Sequence, residues 1–307
     1  MIFKMHIPGI FMFLFLNVFC CNNPTINNND ATVITDYNFS KPDKIYILPD
    51  TLREISGITE IDSISFACIQ DENGILFLYD ALNNKIKEQY FFHIDGDYEG
   101  ITRIDNTIYV LRSDGVLFEI KKFRSEKFKT TSYVTGIPAN NNEGLCYDKK
   151  NHRLLIGCKG KPGKGIEYKD KRVIYGFDLK TKKLSNEPVF DFNLALIKQF
   201  AINNKIDLPY RNKKRGAINE PIIRFRTSAI GIHPLTNKLY LLSATEHLLF
   251  IFNMDGTIEH IETLDTELFN KAEGITFFNN GDMLISNEGQ DKKPTLLQFN
   301  YKQKSGD

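Results

Sequence analysis

Short apolar runs of about four to eight residues, rich in Ile, Leu, Val, Phe and Tyr, fill most of this chain. Turns of Asn, Asp, Gly and Lys separate them. The stretch from Gly100 to Val134 shows the pattern most clearly. Gly100-Ile101-Thr102-Arg103-Ile104 reads as a strand, and Asp105-Asn106 turns it. Residues 107–111 return, Ser113-Asp114-Gly115 turns again, and residues 116–120 and 128–134 supply two more strands. Asp and Asn tolerate positive φ, so such turns favour tight hairpins. The segment is predicted to be a four-stranded antiparallel meander. The segments 65–69 and 75–79, 238–242 and 248–252, and 282–286 and 295–299 take the same roles elsewhere.

The meanders recur with a fixed period. A glycine followed by an aliphatic residue stands at Gly57-Ile58, Gly100-Ile101, Gly144-Leu145, Gly231-Ile232 and Gly274-Ile275, at spacings of 43, 44, 87 and 43 residues. A period of roughly 40–50 residues built from short strands is the signature of propeller blades. The long interval does not need an extra blade. Segments 145–148, 153–158, 173–179 and 189–192 complete one blade, and Leu194, Ile197, Ala201 and Ile206 then recur at helical spacing. A short helix near 193–206 is expected, inside an insertion covering 193–226. The strand-like Lys44-Ile45-Tyr46-Ile47-Leu48 is expected to complete the last blade and close the ring, which removes open sheet edges. The predicted fold is all-β: a single five-bladed β-propeller of four-stranded antiparallel blades over residues 36–302, with a tail at 303–307.

The first residues follow another pattern. Met1-Ile2-Phe3-Lys4 carries one positive charge, residues 7–19 are almost wholly apolar, and Cys20-Cys21 follows. A basic start, a short apolar core and a processing site make a secretory signal. Val18-Phe19-Cys20-Cys21 is similar to a bacterial lipobox, with Phe19 and Cys20 where small residues are usual. Residues 1–21 are therefore expected to be a lipoprotein signal, with Cys21, or alternatively Cys20, receiving the lipid. An ordinary cleaved signal and a retained anchor are the other readings. The Asn-rich stretch in 22–35 reads as a flexible tether. The expected location is the bacterial cell envelope, with the protein held to the membrane by a lipid anchor and facing the periplasm or the surface.

Composition changes this picture little. The net charge is +1, so nothing points to nucleic acid. Trp is absent, and 24 Phe and 13 Tyr are left to fill the contacts between blades. Cys68, Cys146 and Cys158 lie in apolar runs and read as buried thiols, with a Cys146–Cys158 bridge as the alternative. The histidines lack paired metal-ligand spacing. The basic run beginning at Arg211 reads as a solvated insertion or a contact with lipid phosphates.

Candidate chemistry comes from the repeat itself. Innermost strands line a propeller's channel, so equivalent residues meet near the axis. Aligned on glycine, the preceding position holds Ser56, Glu99, Glu143, Ile230 and Glu273. Converging carboxylates repel unless a cation is present, and calcium favours several oxygen ligands. Glu99, Glu143 and Glu273 are thus candidate Ca²⁺ ligands. The alternative is that each braces the start of its blade through a backbone amide or a basic neighbour. A second candidate ring, from the turns after the second strands, holds Asp71, Glu72, Arg112, Lys159, Ser243, Asn287 and Glu288. These read as ligand contacts or as ordinary solvated turns.

Taken together, Leu52-Arg53-Glu54-Ile55-Ser56-Gly57, Asp97-Tyr98-Glu99-Gly100-Ile101, Asn142-Glu143-Gly144-Leu145, Ser228-Ala229-Ile230-Gly231-Ile232-His233-Pro234, Lys271-Ala272-Glu273-Gly274-Ile275 and Ile285-Ser286-Asn287-Glu288-Gly289 resemble the SdiA-regulated (YjiK-like) family of bacterial envelope proteins. The resemblance covers about residues 36–301. It implies a five-bladed propeller and a link to calcium. The functional expectation is a monomeric binding or scaffold protein with an unidentified protein or small-molecule partner. A calcium-dependent hydrolase of phosphate or lactone esters and a purely structural interaction module are the alternatives.

Overall fold

A computed structural model describes residues 36–125, 127–211 and 220–302. The proposed signal, lipidation cysteines and tether lie outside the described residues, as do the tail and most of the basic run after Arg211.

Five four-position antiparallel blades form the molecule. The first consists of Ile55–Glu60, Ser65–Gln70, Ile75–Asp80 and Lys85–Phe91, ordered from the axis outward. The second is Tyr98–Ile104, Thr107–Arg112, Val116–Lys121 and Lys129–Val134. In the third, Asn142–Asp148, Arg153–Cys158 and Lys171–Asp178 are followed by a split outer strand, Lys183–Leu184 and Phe190–Asn193, both paired to Lys171–Asp178. The fourth is Ala229–Ile232, Leu239–Ser243, Leu248–Phe252 and Ile258–Thr263. The fifth takes Ala272–Phe277, Met283–Asn287 and Thr295–Phe299 from one end of the chain and Lys44–Ile47 from the other. Lys44 pairs with Gln298 and Ile47 with Thr295, so the ring is closed by hydrogen bonds between first and last strands.

The near-continuous apolar runs follow from burial on both faces of each sheet. In the first blade, Leu76 and Leu78 pack toward Tyr98, Ile108 and Val110 of the second. The intervening Phe77 and Tyr79 pack the other way, with Leu284 and Leu296 of the fifth. A period of two thus serves two cores at once. Outer strands meet solvent on one side, which is why Lys85–Phe91 alternates with charged residues.

Between the third and fourth blades, helix Leu194–Asn203 begins where Asn193 accepts a hydrogen bond from the Ala195 amide at 2.9 Å. Its buried residues Leu194, Ile197 and Ala201 join Phe192, Phe225 and Phe252. A small two-stranded pairing, Tyr210–Arg211 with Glu220–Pro221, follows within the same insertion. Cys68, Cys146 and Cys158 are buried free thiols, so the alternative of a Cys146–Cys158 bridge is set aside.

Candidate functional site at the upper mouth of the channel

The inner strands carry a shared irregularity. In four blades the register slips by one residue at the start of the inner strand: between Ile55 and Gly57, Tyr98 and Gly100, Asn142 and Gly144, and Ala272 and Gly274. The bulged residues are Ser56, Glu99, Glu143 and Glu273. A bulge re-aims its side chain away from the regular pleat, so these residues leave the sheet face and gather at one mouth of the channel.

The fourth blade has no bulge, and its register corrects the sequence alignment there. Ala229 opposes Leu242 and Ile230 opposes Leu241. Ile230 therefore matches Ile58, Ile101, Leu145 and Ile275, not the glutamates. The equivalent of the bulged residue is Ser228. Its hydroxyl donates to the Ala272 carbonyl at 2.9 Å, as the Ser56 hydroxyl donates to the Tyr98 carbonyl at 2.7 Å. The ring thus reads Ser56, Glu99, Glu143, Ser228 and Glu273. Below it the five aliphatic side chains close the channel, leaving a void of only about 10 Å³.

Two ammonium groups serve the carboxylates. Lys159 Nζ lies 2.6 Å from Glu143 Oε1, which also accepts from Asn141 Nδ2 at 3.1 Å. Lys271 Nζ lies 2.7 Å from Glu288 Oε1 and 3.5 Å from Glu273 Oε1. Glu143, Glu273 and Glu288 are 2%, 5% and 7% exposed. Burial pushes the Glu99 carboxyl up to about 9, aided by the charges of Glu143, Asp97 and Glu273. Burial likewise takes Glu273 to about 7 and Glu143 to about 6, in the latter case outweighing the Lys159 ammonium. Asp71 is raised to about 6 by burial and by Glu54, Glu288 and Glu72. Glu143 Oε2 and Asp71 Oδ1 are buried and have no hydrogen-bond partner.

The second candidate ring divides. Lys159, Glu288 and Asp71 belong to this charged mouth. Arg112 is held by Asp114 through contacts of 3.0 and 2.8 Å. Ser243 donates to Glu246 at 2.7 Å and accepts from the Arg226 amide at 2.9 Å. The Asn287 amide nitrogen donates to Leu268 O at 3.2 Å and Thr295 Oγ1 at 3.0 Å. Glu72 is exposed. Lys271 was not among the sequence candidates, yet its position carried a signal. Residues two before the bulge are Glu54, Asp97, Asn141, Arg226 and Lys271, a polar set at every blade.

The calcium expectation meets a mixed fit. The donor chemistry suits a cation, and two buried carboxylate oxygens lack partners. Among the described residues, however, no group of three or more His, Cys, Asp and Glu side chains is arranged to hold a metal ion. Lys159 and Lys271 stand against the carboxylates instead.

No family model matches the chain, and no curated protein matches it. Solved structures do resemble its fold. Glutaminyl cyclase of Myxococcus xanthus superposes with a TM-score of 0.56 at 14% identity, covering 84% of this chain and 94% of that one. A Bacteroides thetaiotaomicron protein of unknown function gives 0.48 at 11% identity, covering 76% of this chain and 52% of that one. Virginiamycin B lyase of Staphylococcus aureus gives 0.42 at 14%, covering 84% and 73%. Identities this low speak to fold alone. The protein is a five-bladed β-propeller with an acidic, lysine-bridged mouth.

Proposed function

We propose that this protein is an envelope-anchored binding propeller of the SdiA-regulated type, and that its upper mouth takes a cationic group. The observation that carries the reading is the excess of carboxyl groups over ammonium groups there, which without a cation keeps Glu99 protonated at neutral pH. Glu99, Glu143, Glu273 and Glu288 face two ammonium groups, and Glu143 Oε2 is buried without a donor. A bound cation would supply the missing partner. Calcium is the first candidate, and taking it up requires Lys159 and Lys271 to release their carboxylates.

Thermal melts with calcium and with chelator test this. A ligand that binds only the native state stabilises it by about 2.7 kcal/mol at a hundredfold excess over its dissociation constant. Wild type is expected to melt higher with calcium, and Glu143→Gln to lose most of that rise. Equal shifts in both proteins would remove Glu143 from the site. No shift at all would leave the glutamates as braces for Lys159 and Lys271.

A second reading, a hydrolase of phosphate or lactone esters, draws on Glu99. A carboxyl ionising near 9 is protonated at neutral pH and suits a general acid. Turnover of an ester panel, lost in Glu99→Gln, would replace the binding role with a catalytic one.

The anchoring part of the proposal rests on the basic start, the apolar run and Cys20-Cys21. Intact-mass and peptide analysis of protein from the native envelope is expected to show a diacylglyceryl-modified Cys21 or Cys20 as first residue. An unmodified terminus downstream of Cys21 would sink the lipoprotein assignment.

A further inference from the structure

The opposite mouth of the channel holds a larger space that the upper-mouth reading does not use. It is a cavity of about 550 Å³, within the roughly 300–1,000 Å³ usual for small-molecule sites. Its floor is the aliphatic ring of Ile58, Ile101, Leu145, Ile230 and Ile275, which also seals it from the glutamates. Above that floor the walls turn polar. Thr59 and Thr276 donate their hydroxyls to Glu60 Oε2 at 3.3 and 3.0 Å, and Glu60 Oε1 meets Arg103 Nη2 at 3.2 Å. Arg103 is further held by the carbonyls of Glu60 and Asp105 at 2.8 and 2.9 Å. The charges of Glu60 and Arg103 are therefore spent on each other. Asp148, also on the lining, is taken up by Arg153 at 2.9 Å and by Asn151.

What remains at the rim is positive. Lys149 and Lys150 line the cavity, are exposed, and make no ion pair or side-chain hydrogen bond among the described residues. The Thr102 hydroxyl on the wall likewise has no protein partner among them. The lower mouth thus combines an apolar floor, a hydroxyl wall and two uncommitted ammonium groups, the reverse in charge of the upper mouth.

We propose that this cavity is a second ligand site, and that it takes a small organic monoanion with an apolar body. The body packs on the aliphatic ring, and the anionic head lies toward Lys149 and Lys150. The site is independent of cation binding above, because the aliphatic ring separates them.

Octanoate is the probe, titrated by calorimetry into the folded protein. Saturable one-to-one binding is expected. Reversing both charges in Lys149→Glu/Lys150→Glu should weaken it about tenfold, the factor that corresponds to 1.4 kcal/mol from two exposed charges. The same charge change on the outer strand, Lys85→Glu/Lys87→Glu, should leave it unaltered. Thr276→Phe, which fills the cavity from its wall, should abolish it, with a melt confirming the fold. If Thr276→Phe does not fold, the lysine pair decides alone, since both residues are exposed. No saturable binding at millimolar octanoate would overturn the proposal. So would equal weakening by the two double variants, or octanol binding as tightly as octanoate. None of these results bears on the calcium melts, so the two sites fail or stand separately.

Discussion

Gly100→Val is expected to destabilise the propeller by about 3 kcal/mol or more, at the upper end of overpacking costs. In a chain of this size that is a fall in melting temperature of about 5 °C. A Cβ on Gly100 would stand 2.7 Å from Leu145 Cβ and 2.8 Å from the Glu143 carbonyl oxygen. Neither neighbour is the loose end of a flexible side chain. One is a backbone atom of the next blade and the other a member of the ring that closes the channel, so the inner strands themselves must separate. The same contact recurs around the axis: Gly57 meets Ile101, Gly144 meets Ile230 and Gly274 meets Ile58. In four blades a glycine admits the next blade's aliphatic residue, and in the fourth Ala229 takes that place. Gly136→Ala provides the contrast. That glycine has φ +71° and nothing within 4 Å of an added Cβ, so only backbone strain is expected, on the order of 1 kcal/mol. Denaturant unfolding of the two variants separates the cases. If Gly100→Val costs no more than Gly136→Ala, the close approach of inner strands is not what the repeat encodes.

That contact explains why the fold was legible from the chain. The period of Gly-aliphatic pairs marks one physical requirement repeated at each blade, and the apolar runs mark sheets buried on both faces. The closing strand 44–48 was legible because the fifth blade otherwise lacked an outer strand. Register was harder to read. Around Ala229-Ile230-Gly231-Ile232 two small-aliphatic pairs overlap, and alignment on glycine chose the second. The structure uses the first, because without a bulge the fourth inner strand needs no extra residue. Ser228-Ala229-Ile230 matches Ser56-Gly57-Ile58 once a small residue, and not glycine alone, is required.

The site was legible in part for a related reason. Equivalence by repeat brought Glu99, Glu143 and Glu273 together, since symmetry places them at one depth. It marked the position of Lys271 only as one of a polar set two before the bulge, and not that this side chain is long enough to reach Glu273 and Glu288. Nor could it separate Lys159, which turns inward to Glu143, from Arg112, which turns back to Asp114. The lower cavity was not visible at all. It depends on how far five strands diverge below the aliphatic ring, a distance no local pattern records.

The upper mouth should make stability fall as pH rises from about 5 to about 9. Glu99 ionises near 4.5 when unfolded and near 9 when folded, Glu273 near 4.5 and near 7. Glu143 and Asp71 are raised to about 6. Between those limits the native state keeps protons that the unfolded chain has released. Stability therefore declines with pH, because the unfolded state binds fewer protons. The stabilising protonated forms are fully present below pH 4.5 and are lost by pH 9. Glu119 works in the other direction but elsewhere. Burial raises its carboxyl, yet hydrogen bonds from Lys182, Tyr109, Tyr133 and Lys121 outweigh this and bring it down to about 2. Its contribution is present above 4.5 and is lost only as pH falls toward 2. The two effects together place the stability maximum near pH 5. Glu99→Gln removes the largest upward shift while keeping the shape of the side chain. It should be close to neutral at pH 5 and stabilising at pH 9, on the order of a few kcal/mol. Urea midpoints of both proteins at pH 5, 7 and 9 give the comparison, and parallel profiles would mean that Glu99 is solvated and free of the ring. Calcium adds a separate arm to the experiment. A cation among these carboxylates favours their ionised forms, so if it binds there the wild-type decline between pH 5 and 9 should flatten with calcium and persist with chelator.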